Sequence, residues 1–163
     1  MTAIASDHRV LHLVCVGRRR DMAPTPPDDA SPLGTAARLI HAGELAALAA
    51  DVDAAEFLGP DAEQRLADLQ WLTPRALAHE SLISKAMAHG PVLPMRFGTV
   101  FSSEHTLREA LDRHAPAIAD FLGQVEGHAE HAARSTGAQT TPPPLTSASR
   151  PPPKSPRTPT GVR

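Results

Sequence analysis

Nine histidines, a single cysteine and a scatter of carboxylates are the side chains best suited to chemistry here, and their spacing decides what they can do. His79-Glu80 opens like the helix of a zinc protease, whose mechanism needs a second histidine one turn later to share the metal; that position is Ile83, so the motif is incomplete. His128 and His131, with Glu130 between them, could share a metal on a helix, but no third ligand stands near them for a tetrahedral site. Gly43, Gly59 and Gly90 stand alone and build no phosphate loop, and neither a GxSxG nor a CxxC motif occurs. Cys15 sits inside the apolar run Val10–Val16 and reads as a small buried hydrophobe, with no partner for an internal disulfide. No catalytic, cofactor-binding or metal-ligating residue is assigned on these patterns, no cofactor is implied, and an enzyme is not the expectation.

Two features suit binding better. Arg96 is flanked by Met95 and Phe97; it reads as a solvent-facing strand arginine or a partner for a helix carboxylate such as Glu80, with an interface anchor as the alternative. Pro153-Lys-Ser-Pro156 fits the PxxP spacing of SH3 ligands, a match that proline-rich composition also produces by itself.

These residues must be placed by regular elements. Val10-Leu-His-Leu-Val-Cys-Val16 is short, apolar on both faces and stopped by Gly17 and three arginines, which predicts a central strand. Residues 18–35 are rich in Pro, Asp and Ser and predict a loop. Ala37–Ile40 and Leu45–Val52 flank Gly43 and predict a β-hairpin, although the alanines of the second arm also favour helix. A short helix is expected within Asp61–Leu69. A longer one is expected from a Thr73 cap with Pro74 in the first position, with Ala76, Ile83 and Met87 on one side of it, ending at Gly90-Pro91, where Gly90 is free to take a left-handed cap. Leu93–Phe101 alternates as a half-buried strand, with Pro94 and Gly98 marking an edge, a bulge or a bend. Ser102 and Ser103 then cap an amphipathic helix carrying Leu107, Leu111, Ala115, Ile118, Leu122 and Val125, with a kink or break expected near Pro116.

Composition bounds the rest. The 163 residues suffice for one compact domain, and with aromatics at 3% the core must come from aliphatic side chains. Residues 1–127 carry 11 Lys and Arg against 17 Asp and Glu, while residues 128–163 carry 5 against 1 and eight prolines. An acidic domain followed by a basic, disordered Pro-rich tail is the expected organisation, which argues against nucleic acid as a partner. Val10–Val16 is too short to span a bilayer, so a cytoplasmic protein without membrane contact is expected.

The stretch Trp71-Leu-Thr-Pro-Arg-Ala-Leu-Ala-His-Glu80, followed by Gly90-Pro-Val-Leu-Pro-Met-Arg-Phe-Gly-Thr-Val-Phe-Ser-Ser-Glu104, closely resembles the signature of the GvpL/GvpF gas vesicle proteins. The second stretch is the more specific. The hairpin around Leu39–Val52 and the ending Leu122-Gly-Gln-Val-Glu-Gly127 are also similar, so the resemblance covers roughly residues 10–127. It implies an α+β, ferredoxin-like domain over residues 1–127, an antiparallel sheet with helices packed on one face. It also implies an accessory or minor structural role in gas vesicle assembly, through contacts with the shell protein and other accessory proteins, with the gas vesicle as location and no small-molecule substrate. The family supplies no catalytic residue to carry over. At His128 the similarity stops: a further strand and a second domain are expected from the family, and residues 128–163 read instead like the product of a shifted frame. The competing expectation is a free-standing ferredoxin-like binding module whose Pro-rich tail recruits a partner.

Overall fold

A computed structural model describes residues 8–24, 32–33 and 37–136. Strand β1 (Arg9–Arg18) ends in a 3-10 turn at Arg19–Asp21; β2 (Arg38–Ala42) and β3 (Leu45–Asp53) follow, then α1 (Ala54–Phe57), α2 (Ala62–Ala67), α3 (Leu69–Met87), β4 (Val92–Pro94), β5 (Val100–Phe101) and α4 (Glu104–Thr136). The sheet runs β2-β3-β1-β4, with β5 also pairing β1, and every pairing is antiparallel.

The expected central strand is β1, and its composition dictates the layers. A strand apolar on both faces needs cover on both. Leu11, Leu13 and Val16 lie with Ile40, Leu45, Ala47 and Ala49 under Leu107, Leu111, Ile118 and Leu122 of α4. Val14 and Cys15 lie on the opposite face with Leu48 and Val92, under Ile83 of α3. A register shift between Leu13 and Cys15 inserts one residue, so Val14 and Cys15 share a face. Helices therefore cover both faces of the sheet, not one as the ferredoxin-like expectation had it; what stands of that expectation is an antiparallel sheet with helices.

The hairpin forms as expected, turning at Gly43 with φ +57°. Helical propensity loses in β3 because pairing on both sides and burial of Ala46, Ala47, Ala49 and Ala50 outweigh it. Arg38 of β2 bonds Asp51 on β3 at 3.1 Å and also pairs with Glu104, which meets Arg108 at 3.1 Å. This network ties the first turn of α4 to the hairpin.

Helix α3 starts earlier than expected: the Asp68 carboxylate accepts from Gln70 N–H at 3.0 Å, so the cap is Asp68, and Pro74 lies inside the helix rather than at its start. Its buried residues are His79 and Ile83, while Met87 is exposed. Gly90 is not among the glycines with positive φ, which among the described residues are Gly43, Gly59 and Gly98. Gly90 is required for space: a Cβ there would stand 2.8 Å from Asp21 Cβ. The run Leu93–Phe101 divides into β4 and β5 around Gly98, which takes φ +88°. Met95 N–H points inward to Val14 C=O at 3.0 Å, so the N–H that Pro94 lacks falls on the outer edge, where a sheet tolerates proline.

Ser103 Oγ accepts from Thr106 N–H at 3.2 Å and caps α4. The helix continues through Pro116 without a break and through Gly127 to Thr136, so the expected boundary at 127 falls inside α4. The PxxP segment and the rest of the Pro-rich stretch lie outside the described residues.

The close approach at Gly90 has a measurable consequence. Gly90→Ala is expected to lower stability by about 1–3 kcal/mol, as overpacking does. Adding Asp21→Gly removes the opposing Cβ and is expected to recover most of that loss in a denaturant titration of the double variant. A loss unchanged by the second substitution would point to backbone conformation instead.

Candidate functional site

His79 of α3 and His12 of β1 are both fully enclosed, and their rings lie 5.1 Å apart between centroids. Helical phase turns His79 and Ile83 to the sheet and leaves Glu80 exposed, so the sequence neighbours His79 and Glu80 do not act together. His12 faces the same side of β1 as Val14.

Each ring holds the segment between β4 and β5. Gly98 N–H donates to His12 Nε2 at 3.1 Å, and His79 Nε2 lies 2.8 Å from Met95 C=O. A carbonyl only accepts, so His79 carries its proton on Nε2; an amide only donates, so His12 Nε2 is bare and its proton sits on Nδ1. Neither Nδ1 atom has a hydrogen-bond partner among the described residues. Arg96 C=O accepts from Thr99 N–H at 3.2 Å and from Thr99 Oγ1 at 2.8 Å, which closes the loop.

Aromatic rings complete the enclosure. Phe97 points to this side of the sheet, although strict alternation would have placed it with Met95 and Phe101; the left-handed Gly98 breaks the alternation. Its ring lies 5.2 Å from His12, 5.8 Å from His79 and 5.7 Å from Phe57. Trp71 meets Phe57 edge-on at 5.7 Å. The Arg75 guanidinium stacks over Trp71 at 4.4 Å, donates to Trp71 C=O at 2.9 Å and reaches Glu56 at 3.5 Å. Leu93–Phe101 and Trp71–Glu80, the two stretches most telling in the sequence, thus meet at one place.

The arrangement suits fastening better than proton transfer. Burial, with the neighbouring His79 second, pushes the His12 pKa down to about 4, so both its geometry and its titration keep it neutral. Burial pushes the Cys15 thiol up to about 12, far from a reactive thiolate. Among the described residues no three His, Cys, Asp or Glu side chains converge as a metal site. His128 Nδ1 lies 2.7 Å from Gln124 C=O on its own helix, and the side chains of Glu130 and His131 lie outside the described ones. Arg96 is exposed, and the pair expected with Glu80 is not formed among the described residues. Sequence reasoning passed over His12. Its signal was a polar residue in a strand buried on both faces, which must find a partner; which partner, only the fold shows.

The sequence profile described as "Gas vesicle synthesis protein GvpL/GvpF" matches residues 12–140. The chain belongs to the GvpL/GvpF family. It is 34% identical over 97 residues to "Gas vesicle protein L" of Streptomyces sp. (strain CB03234), a stretch covering 57% of this chain and 36% of that protein. The chain thus spans about a third of the length of that relative. No solved structure matches it. The family match begins at His12 and runs beyond Gly127 to residue 140, past the end of α4. No helix among the described residues is long and apolar enough to cross a membrane.

Because His12 is buried neutral, the unfolded chain, with an ordinary histidine pKa of 6.5, binds more protons than the native state between that value and about 4. Stability therefore rises with pH across this window and is lost as pH falls through it, by roughly 3 kcal/mol in all. Across this window, urea titrations of the wild type should show a stability change larger by this amount than those of His12→Gln. Equal changes would place the protonation elsewhere.

Proposed function

We propose that the protein is an accessory or minor structural component of gas vesicle assembly, acting through contacts with the shell protein and other accessory proteins rather than by catalysis. The observation that carries this reading is the family match over residues 12–140. The geometry supports it, since the histidines that would be candidates for acid-base work are enclosed and spent on holding backbone. On this reading the protein resides in the cytoplasm at the gas vesicle, and the folded part through α4 carries the contacts.

Co-expression with the shell protein of the same host, followed by affinity capture on the full chain, tests the proposal. Co-purification of the shell protein or of a second accessory protein is expected. Truncation after residue 140, where the family match ends, is expected to leave capture unchanged. Capture of neither protein would contradict the proposal. Capture lost on truncation would shift the contacts to the Pro-rich segment and favour a tail-recruiting module.

A further inference from the structure

Unbroken alternation along Leu93–Phe101 would put Leu93, Met95, Phe97 and Phe101 together on the face that α4 covers. Leu93, Met95 and Phe101 do lie there, packed against the core under α4. Phe97 does not. Its ring stands among His12, His79 and Phe57 on the other face, where the left-handed Gly98 and the two histidine contacts keep the loop turned. The α4 side of this sheet edge is therefore short of one phenyl ring between Met95 and Phe101.

α4 does not make up the deficit. Its buried ridge steps from Leu107 to Leu111 and resumes at Ile118 and Leu122. The turn between them carries the small Ala115 and an exposed His114, and Ala110 stands on the flank, so no large apolar side chain reaches the sheet at this level. Between helix and strand edge lies a half-open cavity of about 160 Å³. Leu13, Met95, Phe101, Leu107, Leu111 and Ile118 form most of its wall, which is almost wholly apolar, and His114 stands at the rim.

The wall selects the guest. A water molecule needs about two to four polar partners to settle in a cavity, and a dry apolar space of about 150 Å³ takes up a ring the size of benzene. No carboxylate, lysine or arginine is among the described residues that line the space, so a charged group would find no partner in it. A side chain carried on an added strand is poorly served as well, because Pro94 removes a donor from the edge on which such a strand would pair. We infer that this cavity is a binding site for a compact, uncharged apolar molecule of about the size of a benzene ring, seated between Met95 and Phe101 under α4. Such a site is independent of the assembly role, and its test needs no vesicle component.

Benzene titrated into the full chain and followed by carbon-13 methyl NMR is the test. Saturable shifts are expected at Met95, Leu111 and Ile118, with Leu48 and Ile83 of the opposite core unmoved. Ala110→Leu places apolar atoms in the space and should weaken binding by roughly tenfold or more, while the melting temperature holds or rises as cavity filling predicts. Shifts that grow without saturating, equal shifts in both cores, or binding unaltered by Ala110→Leu would overturn the inference. A fall in the melting temperature of Ala110→Leu would also overturn it, because the space would then not be there to fill. So would a dimer seen by light scattering that Ala110→Leu abolishes, since a side chain of a second copy would then be the occupant.

Discussion

The structure turns on β1 being buried on both faces. Seven consecutive residues, Val10 to Val16, are each 3% exposed or less, so the strand needs a neighbour along both edges and a helical layer above and below. The hairpin supplies one edge and the divided β4–β5 segment the other. α4 covers one face and α3 the second. The inserted residue near Val14 lets a chain of alternating side chains serve two cores of different shape. His12 is the consequence of the same constraint: a polar side chain on such a strand has no route to water and must be satisfied inside.

That satisfaction explains the most characteristic segment of the sequence. Within Gly90–Glu104 the pairing with β1 is interrupted where the Met95 carbonyl, its N–H still on Val14, turns to His79 and the Gly98 N–H turns to His12. Gly98 permits the turn, Phe97 fills the enclosure, and Thr99 closes the loop on Arg96. Gly90 allows the chain to pass against Asp21 on its way there. A segment so dependent on particular residue types stands out in sequence for reasons of architecture.

Much of this was legible beforehand. The apolar run gave the central strand, Gly43 the hairpin turn, Ser103 the cap, and the spacing of Leu107, Leu111, Ile118 and Leu122 the long helix. The single-face arrangement was misjudged, although the two-sided apolarity of Val10–Val16 already required a second layer. Local rules also misled at Pro74 and Gly90. Pro74 was read as the helix start, whereas Asp68 sets that start further upstream and leaves Pro74 inside α3, and Gly90 is set by a distant side chain that no local pattern contains. Pro116 and Gly127 do not stop α4, since its apolar ridge packs on the sheet through Leu122 and Arg18 reaches Glu126 at 2.6 Å. The His12–His79 pairing was not readable, because it joins residues far apart in sequence through a loop whose shape is itself the result.

Two enclosed histidines fasten the β4–β5 loop, each through Nε2: His79 donates to Met95 C=O and His12 accepts from Gly98 N–H. Nitrogen-15 NMR of the imidazole rings near neutral pH reads this directly. A neutral ring with its proton on Nδ1 is expected for His12, and a ring with a proton held on Nε2 for His79. Tautomer averaging at both sites, or a charged ring at His12, would mean that the loop is not held in this way and that these side chains remain free for other chemistry.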